Sequence, residues 1–175
     1  MNDQRQNEAP MPYPLAFFLT WPTYGTWLPG DERGWVEYRH GWKPTDESRR
    51  KDAAARMTED ACILTSAQRE LVEATVRKHC AIRKWDLFAV NCRSNHIHVV
   101  LAGNRSPKEI RGQLKSWCTR RLKDQQLAIG VAVADVRENW WAERGSGRYL
   151  NDEKSLEAAI EYVRDAQDNP IRYHH

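Results

Sequence analysis

Apolar and polar positions divide the chain into short strands and longer amphipathic helices. Leu15 to Trp21 (LAFFLTW) is a continuous apolar run stopped by Pro22, which predicts a buried strand. A Gly/Pro-punctuated loop covers 22–35. Positions 37–64 are charged and weakly periodic, with a short helix expected at 46–57, and this stretch reads as an insertion. Thr65 is a hydroxyl N-cap before a helix whose Leu71, Val72, Val76 and Cys80 recur at helical spacing. Residues 85–92 and 96–102 predict two strands joined by Arg93-Ser94-Asn95, a hairpin-length connection. Pro107, behind the N-cap Ser106, opens a helix expected to reach about Leu122, with Ile110, Leu114, Trp117 and Cys118 as its buried stripe. Residues 140–150 read as a short strand, a Gly-Ser-Gly turn and a return. Asn151-Asp152-Glu153 then caps a last helix to about Gln167. The order β–α–β–β–α–β plus a C-terminal helix predicts an α+β fold. It is a ferredoxin-like (split βαβ) antiparallel sheet with helices on one face. Residues 1–14 read as a disordered lead-in and 15–170 as one domain.

Composition narrows the picture. With 175 residues the chain is long enough for a proper core, and its net charge of +3 makes any nucleic-acid footprint a local one. The four cysteines form no CxxC pair and no metal-finger spacing, so they read as reduced, mostly buried thiols. The polar N-terminus and the lack of a long apolar run predict a cytoplasmic protein with no membrane partner.

The strand SNHIHVVLA carries the candidate chemistry. Successive strand side chains alternate faces, so His96 and His98 share one side, their Cα atoms about 6.5–7 Å apart. Ile97, Val99 and Leu101 point the other way, into the helix layer. Two imidazoles on a rigid strand, on the face expected to be free of helices, can hold a divalent ion and leave positions open for substrate. Zinc hydrolases also use His-x-His, but no third His, Cys or acid stands at zinc spacing. The other histidines (His40, His79, His174, His175) read as structural or exposed.

On the last helix the apolar arc is Leu156, Ile160 and Val163. At about 100° per residue Tyr162 falls outside it, near Ala158, Ala159 and Ala166. A phenol, with an ordinary pKa of about 10, is a poor nucleophile at neutral pH. Beside a divalent ion that polarises a phosphodiester it can attack phosphorus and form a phosphotyrosine. A third ligand would come from the same helix. Gln167, on the sheet side, is favoured, and Asp165, nearer the tyrosine's face, is the alternative.

His-hydrophobe-His on a strand followed by a helical tyrosine resembles the single-tyrosine HUH transposases, and within them the REP-associated tyrosine transposases of bacteria. The similarity spans most of 15–168. It is carried by TWPTYGTWLPGDERGW (20–35), NCRSNHIHVVL (91–101), LKSWCTRRL (114–122), GSGRYL (145–150) and EYVRDAQ (161–167). The resemblance implies Mg²⁺ or Mn²⁺ on His96 and His98. It also implies cleavage of single-stranded DNA by Tyr162 with retention of the 5′ phosphate, at palindromes extruded as hairpins, by a homodimer or a monomer. Many such proteins place the helical polar ligand four residues after the tyrosine. Here that position is Ala166, and Gln167 follows. A binding-only hairpin-recognition protein of the same fold is the alternative.

A single-stranded or hairpin DNA partner needs phosphate contacts and stacking surfaces. Lys108, Arg111 and Lys115 share one side of the 107–122 helix, a pattern suited to phosphates and equally to a solvated face. Trp27 and Arg33, in the loop after the first strand, either stack on unpaired bases or close a packed lid. Arg148, after the Gly-Ser-Gly turn, is a further candidate for backbone contact.

Overall fold

In a computed structural model, residues 14–37 and 39–165 are described. The lead-in expected over 1–14 (Pro14 apart) and the histidines at 174 and 175 lie outside them.

The main sheet has four antiparallel strands, β1 (Ala16–Pro22), β4 (Asp86–Cys92), β5 (His96–Ala102) and β6 (Ser146–Leu150), in the order β4-β5-β1-β6. This is the ferredoxin-like arrangement. Its two crossovers are the helices α2 (Ser66–Arg83) and α3 (Pro107–Ala128), which pack side by side on one face. There Phe17, Leu19 and Trp21 of β1 and Ile97, Val99 and Leu101 of β5 meet Val72, Val76, Ile110 and Leu114, all buried. Each such aliphatic side chain contributes about 1.5–3 kcal/mol. Capping boxes set the helix starts: Thr65 with Gln68, and Ser106 with Glu109. All four cysteines are free and buried, and burial pushes the Cys80 thiol up to about 11 and Cys92 up to about 12.

The second face is not free of helices. α4 (Glu153–Arg164), opened by an Asp152–Ser155 capping box, crosses it against β4, β5 and β6. Ala159 and Val163 are its buried residues. They join Ala16, Ala89, Val100 and Leu150 in a second, smaller core, with Leu156 and Ile160 partly buried at its margin. The small Ala159 lets the helix lie close to the sheet, so the bulkier apolar residues flank the contact.

Three further expectations need correction. Trp117 is 40% exposed; the stripe of α3 is Ile110, Leu114, Cys118 and Leu122, at positions closer to one helical face. The helix also continues to Ala128, with nothing at Leu122 to break it. Residues 140–150 form no hairpin: Trp141 makes an isolated bridge to Thr23, and only β6 is a strand, paired with β1. Gly147 explains part of the Gly-Ser-Gly motif. A Cβ there would stand 2.9 Å from Pro107 Cβ, so glycine lets the start of α3 rest directly on β6.

Residues 35–64 add a ribbon of β2 (Trp35–Glu37) and β3 (Gly41–Lys43), then α1 (Glu47–Ala55), which buries none of its residues. The segment is tied down where it returns. Cys62 N donates to Tyr24 O at 2.8 Å, Leu64 N donates to Ser94 O at 2.7 Å, and both side chains are buried.

Candidate active site

The strand register builds the site. On β5, His98 faces Thr20 of β1 on one side and Asn91 of β4 on the other, and His96 faces Pro22. All lie on the face covered by α4. The two imidazole centroids are 4.7 Å apart with planes at 75°. His96 Nδ1 meets Asn95 Oδ1 at 2.7 Å, and because a carbonyl oxygen can only accept, this nitrogen carries the proton. His98 Nδ1 lies 2.7 Å from Thr20 Oγ1. His98 is only 5% exposed, and its buried Nε2 has no hydrogen-bond partner among the described residues.

Burial, then the neighbouring His96 and Arg93, pull the pKa of His98 down to about 3. Burial, followed by Arg93 and Arg33, also lowers that of His96. Both rings are therefore neutral at pH 7, the form that ligates metal. An orphaned Nε2, a second imidazole beside it and Nδ1 atoms held by outer partners fit a divalent ion. Among the described residues no group of three His, Cys, Asp or Glu surrounds this position. Gln167 lies outside those residues. Asp165 is exposed at the end of α4, where it lines a shallow depression with Ala158, Glu161 and Tyr162.

Tyr162 meets His98. Its ring centroid is 5.6 Å from that of His98, edge-on at 77°, and 6.0 Å from Phe18. At 39% exposure it touches the site and still faces solvent. Two hydrogen bonds fix this end of α4 to β4: Asn91 Nδ2 donates to Val163 O at 3.2 Å, and Arg164 Nη2 donates to Phe88 O at 3.1 Å. Phe88 sits where the β4–β5 register shifts, a bulge that turns its carbonyl toward the helix.

The loop after β1 docks beside His96, since Thr23 N and both Thr23 Oγ1 and Thr26 Oγ1 donate to Asn95 O at 2.8, 3.1 and 3.2 Å. Within it Arg33 pairs with Asp31, donates to Thr26 O and lies 5.5 Å above the Trp27 ring. Trp27 is 40% exposed and donates from Nε1 to Gly34 O at 2.8 Å. The loop is thus shaped in advance, with one aromatic and one cation at its surface.

The helical cations lie elsewhere. α3 is on the opposite face of the sheet from the histidines. Lys108 is exposed there and Arg111 half-buried beside Gly145 and Gly147. Lys115 is a clamp: its Nζ donates to the carbonyls of Ala142, Glu143 and Arg144 at 2.7, 3.2 and 3.1 Å. Arg148, by contrast, is on the histidine face, its guanidinium 5.5 Å from the Phe18 centroid.

Phe18, Thr20, Asn91, Arg93 and Asn95 were not singled out from the sequence. Phe18 and Thr20 could have been found by strand parity, because whichever face of β1 meets His98 carries both. Asn91 emerges only from the register and from the landing of α4.

No family model matches the chain, and no curated protein matches it. Among solved structures, a protein from Deinococcus radiodurans R1 provisionally classed as a transposase superposes with a TM-score of 0.50 at 13% identity, covering 89% of this chain and 92% of that one. A REP-associated tyrosine transposase bound to a REP hairpin gives a TM-score of 0.48 at 12% identity, over 89% of this chain and 69% of that one. At such identity the similarity is one of architecture: this chain has the α+β fold seen in the Deinococcus radiodurans protein.

Proposed function

We propose that the chain is a metal-dependent, single-tyrosine DNA transposase of the HUH type, a nicking and strand-transfer enzyme. It cleaves and rejoins single-stranded DNA at hairpin sequences through a covalent 5′-phosphotyrosine. One observation carries this reading: a half-exposed tyrosine on the last helix lies 5.6 Å, ring to ring, from a buried histidine whose Nε2 has no partner. The fold shared with a provisionally classed transposase supports it.

His96 and His98 would hold Mg²⁺ or Mn²⁺, with Gln167 or Asp165 as the further ligand. The ion, when bound, supplies Lewis-acid polarisation of the phosphodiester and charge for the leaving oxygen. The rest falls to the chain's own groups. Tyr162 Oη attacks phosphorus and loses its proton to solvent. The bond to the 3′ oxygen breaks, that oxygen takes up a proton, and the 5′ phosphate stays on the tyrosine. Thr20 and Asn95 hold the two imidazoles in place. Arg33, Arg93 and Trp27 offer charge and a stacking surface to the strand entering beside His96. Lys108 and Arg111 would meet phosphates farther along.

The test is incubation with labelled hairpin DNA in Mg²⁺ or Mn²⁺, with denaturing gels to detect a covalent adduct. The adduct is expected from the unsubstituted protein and lost in Tyr162→Phe. An adduct that survives this substitution removes Tyr162 from the chemistry. A second reading is a hairpin-binding protein of this fold without strand transfer. Hairpin binding with no adduct in either metal selects it.

A further inference from the structure

β6 presents Gly147 and Tyr149 to the helix layer, where Gly147 lies against Pro107 and Leu19 and Tyr149 packs edge-on to Phe17. Parity then sends Arg148 and Leu150 to the other face, beside the core of Ala16, Val100, Leu150 and Val163. An arginine in such surroundings ordinarily brings a carboxylate or a set of carbonyl acceptors with it. Arg148 has neither among the described residues. Its Nε is buried without a hydrogen-bond partner, and its guanidinium rests against the Phe18 ring.

Phe18 is also the ring that joins the candidate site. Its centroid is 5.4 Å from that of His98 and 6.0 Å from that of Tyr162. One aromatic side chain is thus bordered by three groups: the proposed nucleophile, an imidazole with an unpartnered nitrogen, and a guanidinium with an unpartnered nitrogen. The imidazole nitrogen is taken by the proposed ion, which leaves the guanidinium, on the β6 side of Phe18, to be answered by a phosphate. Its oxygens suit the planar guanidinium fork.

Resting on the proposed function, we infer that Arg148 is a catalytic residue that binds the non-bridging oxygens of the phosphate attacked by Tyr162. As the Tyr162 oxygen bonds to phosphorus and the bond to the 3′ oxygen breaks, those oxygens gather negative charge. A half-buried cation already fixed over Phe18 stabilises them most at that point. After the 3′ end departs, the same guanidinium holds the phosphotyrosine in place for rejoining. The phenolic proton goes to solvent and the leaving oxygen takes one from solvent, so no further reactant is required.

The experiment is single-turnover adduct formation at saturating hairpin DNA with Arg148→Met, which keeps an apolar stem over Phe18, and with Arg148→Ala. The expected result is a rate lower by about 100-fold or more in both, hairpin affinity changed by less than about threefold, and partial recovery of Arg148→Ala by added guanidinium ion. An unchanged rate in Arg148→Met, or a loss expressed only as weaker hairpin binding, overturns the assignment while leaving the parent reading intact. A rate lost in both variants and not recovered by guanidinium, with a native circular dichroism spectrum, also overturns it. Absence of an adduct from the unsubstituted protein removes the parent reading and this one together.

Discussion

Thr20→Val probes the link between the sheet and the proposed metal site. The substitution keeps a β-branched shape in β1 and removes only the hydroxyl that stands 2.7 Å from His98 Nδ1. Because His98 is 5% exposed, water cannot readily replace that partner, and the imidazole would have both ring nitrogens unsatisfied in the metal-free protein. A buried polar group left alone costs about 1–3 kcal/mol, so the urea midpoint should fall correspondingly. The second effect is on ligation. With nothing to hold Nδ1, the ring loses its fixed orientation and tautomer, and removing such an outer partner weakens metal binding by about 10–100-fold. Calorimetric titration of Mn²⁺ into Thr20→Val, the unsubstituted protein and His98→Ala measures this directly. His98→Ala should abolish the binding that Thr20→Val only weakens. Equal Mn²⁺ affinity in Thr20→Val and the unsubstituted protein would refute the argument that Thr20 orients a ligand.

Gly147→Ala should destabilise the fold by about 1–3 kcal/mol through overpacking, since its Cβ would stand 2.9 Å from Pro107 and 3.3 Å from Leu19; chemical denaturation measures it. Lys115 gives a pH signature: burial, with Arg111 nearby, pulls its pKa down to about 8 from 10.5. Between those values the unfolded chain binds more protons than the folded one, so this group makes stability rise with pH across that window. The stability difference between the unsubstituted protein and Lys115→Met, followed from pH 7 to 10.5, should show that rise. Changing Lys108 and Arg33 together to alanine should flatten the salt dependence of hairpin affinity by about 1.4–1.8 in slope, near 0.7–0.9 for each phosphate no longer neutralised; an unchanged slope places the footprint elsewhere.

Periodicity made most of the fold legible. The apolar runs of β1, β4 and β5 and the capped helices α2 and α3 are local signals, and a βαββαβ order leaves few ways to pair the strands. The candidate site was legible where one residue type carries the chemistry: strand parity alone put His96 and His98 on one side, and helical angle kept Tyr162 out of the buried arc. What escaped depended on neighbours distant in sequence. The buried position of Ala159 follows from how closely α4 approaches the sheet. Trp117 looked like core by spacing, yet it lies on the outer margin with Arg120 5.1 Å over its ring. Lys115 was indistinguishable from a solvated cation until the 142–144 carbonyls turned toward it. Arg148 shared a motif with two glycines, and only the β1–β6 register put it opposite Phe18.

The crossing of α4 back over the sheet has a consequence for biogenesis. The imidazole pair belongs to a hairpin in the middle of the chain, while the phenol arrives on a helix made some sixty residues later. A nascent chain can complete its four strands before the Tyr162 phenol is in place. Under the proposed mechanism, cutting would therefore have to wait until α4 has come to rest on β4, β5 and β6, which ties the chemistry to completion of the second core.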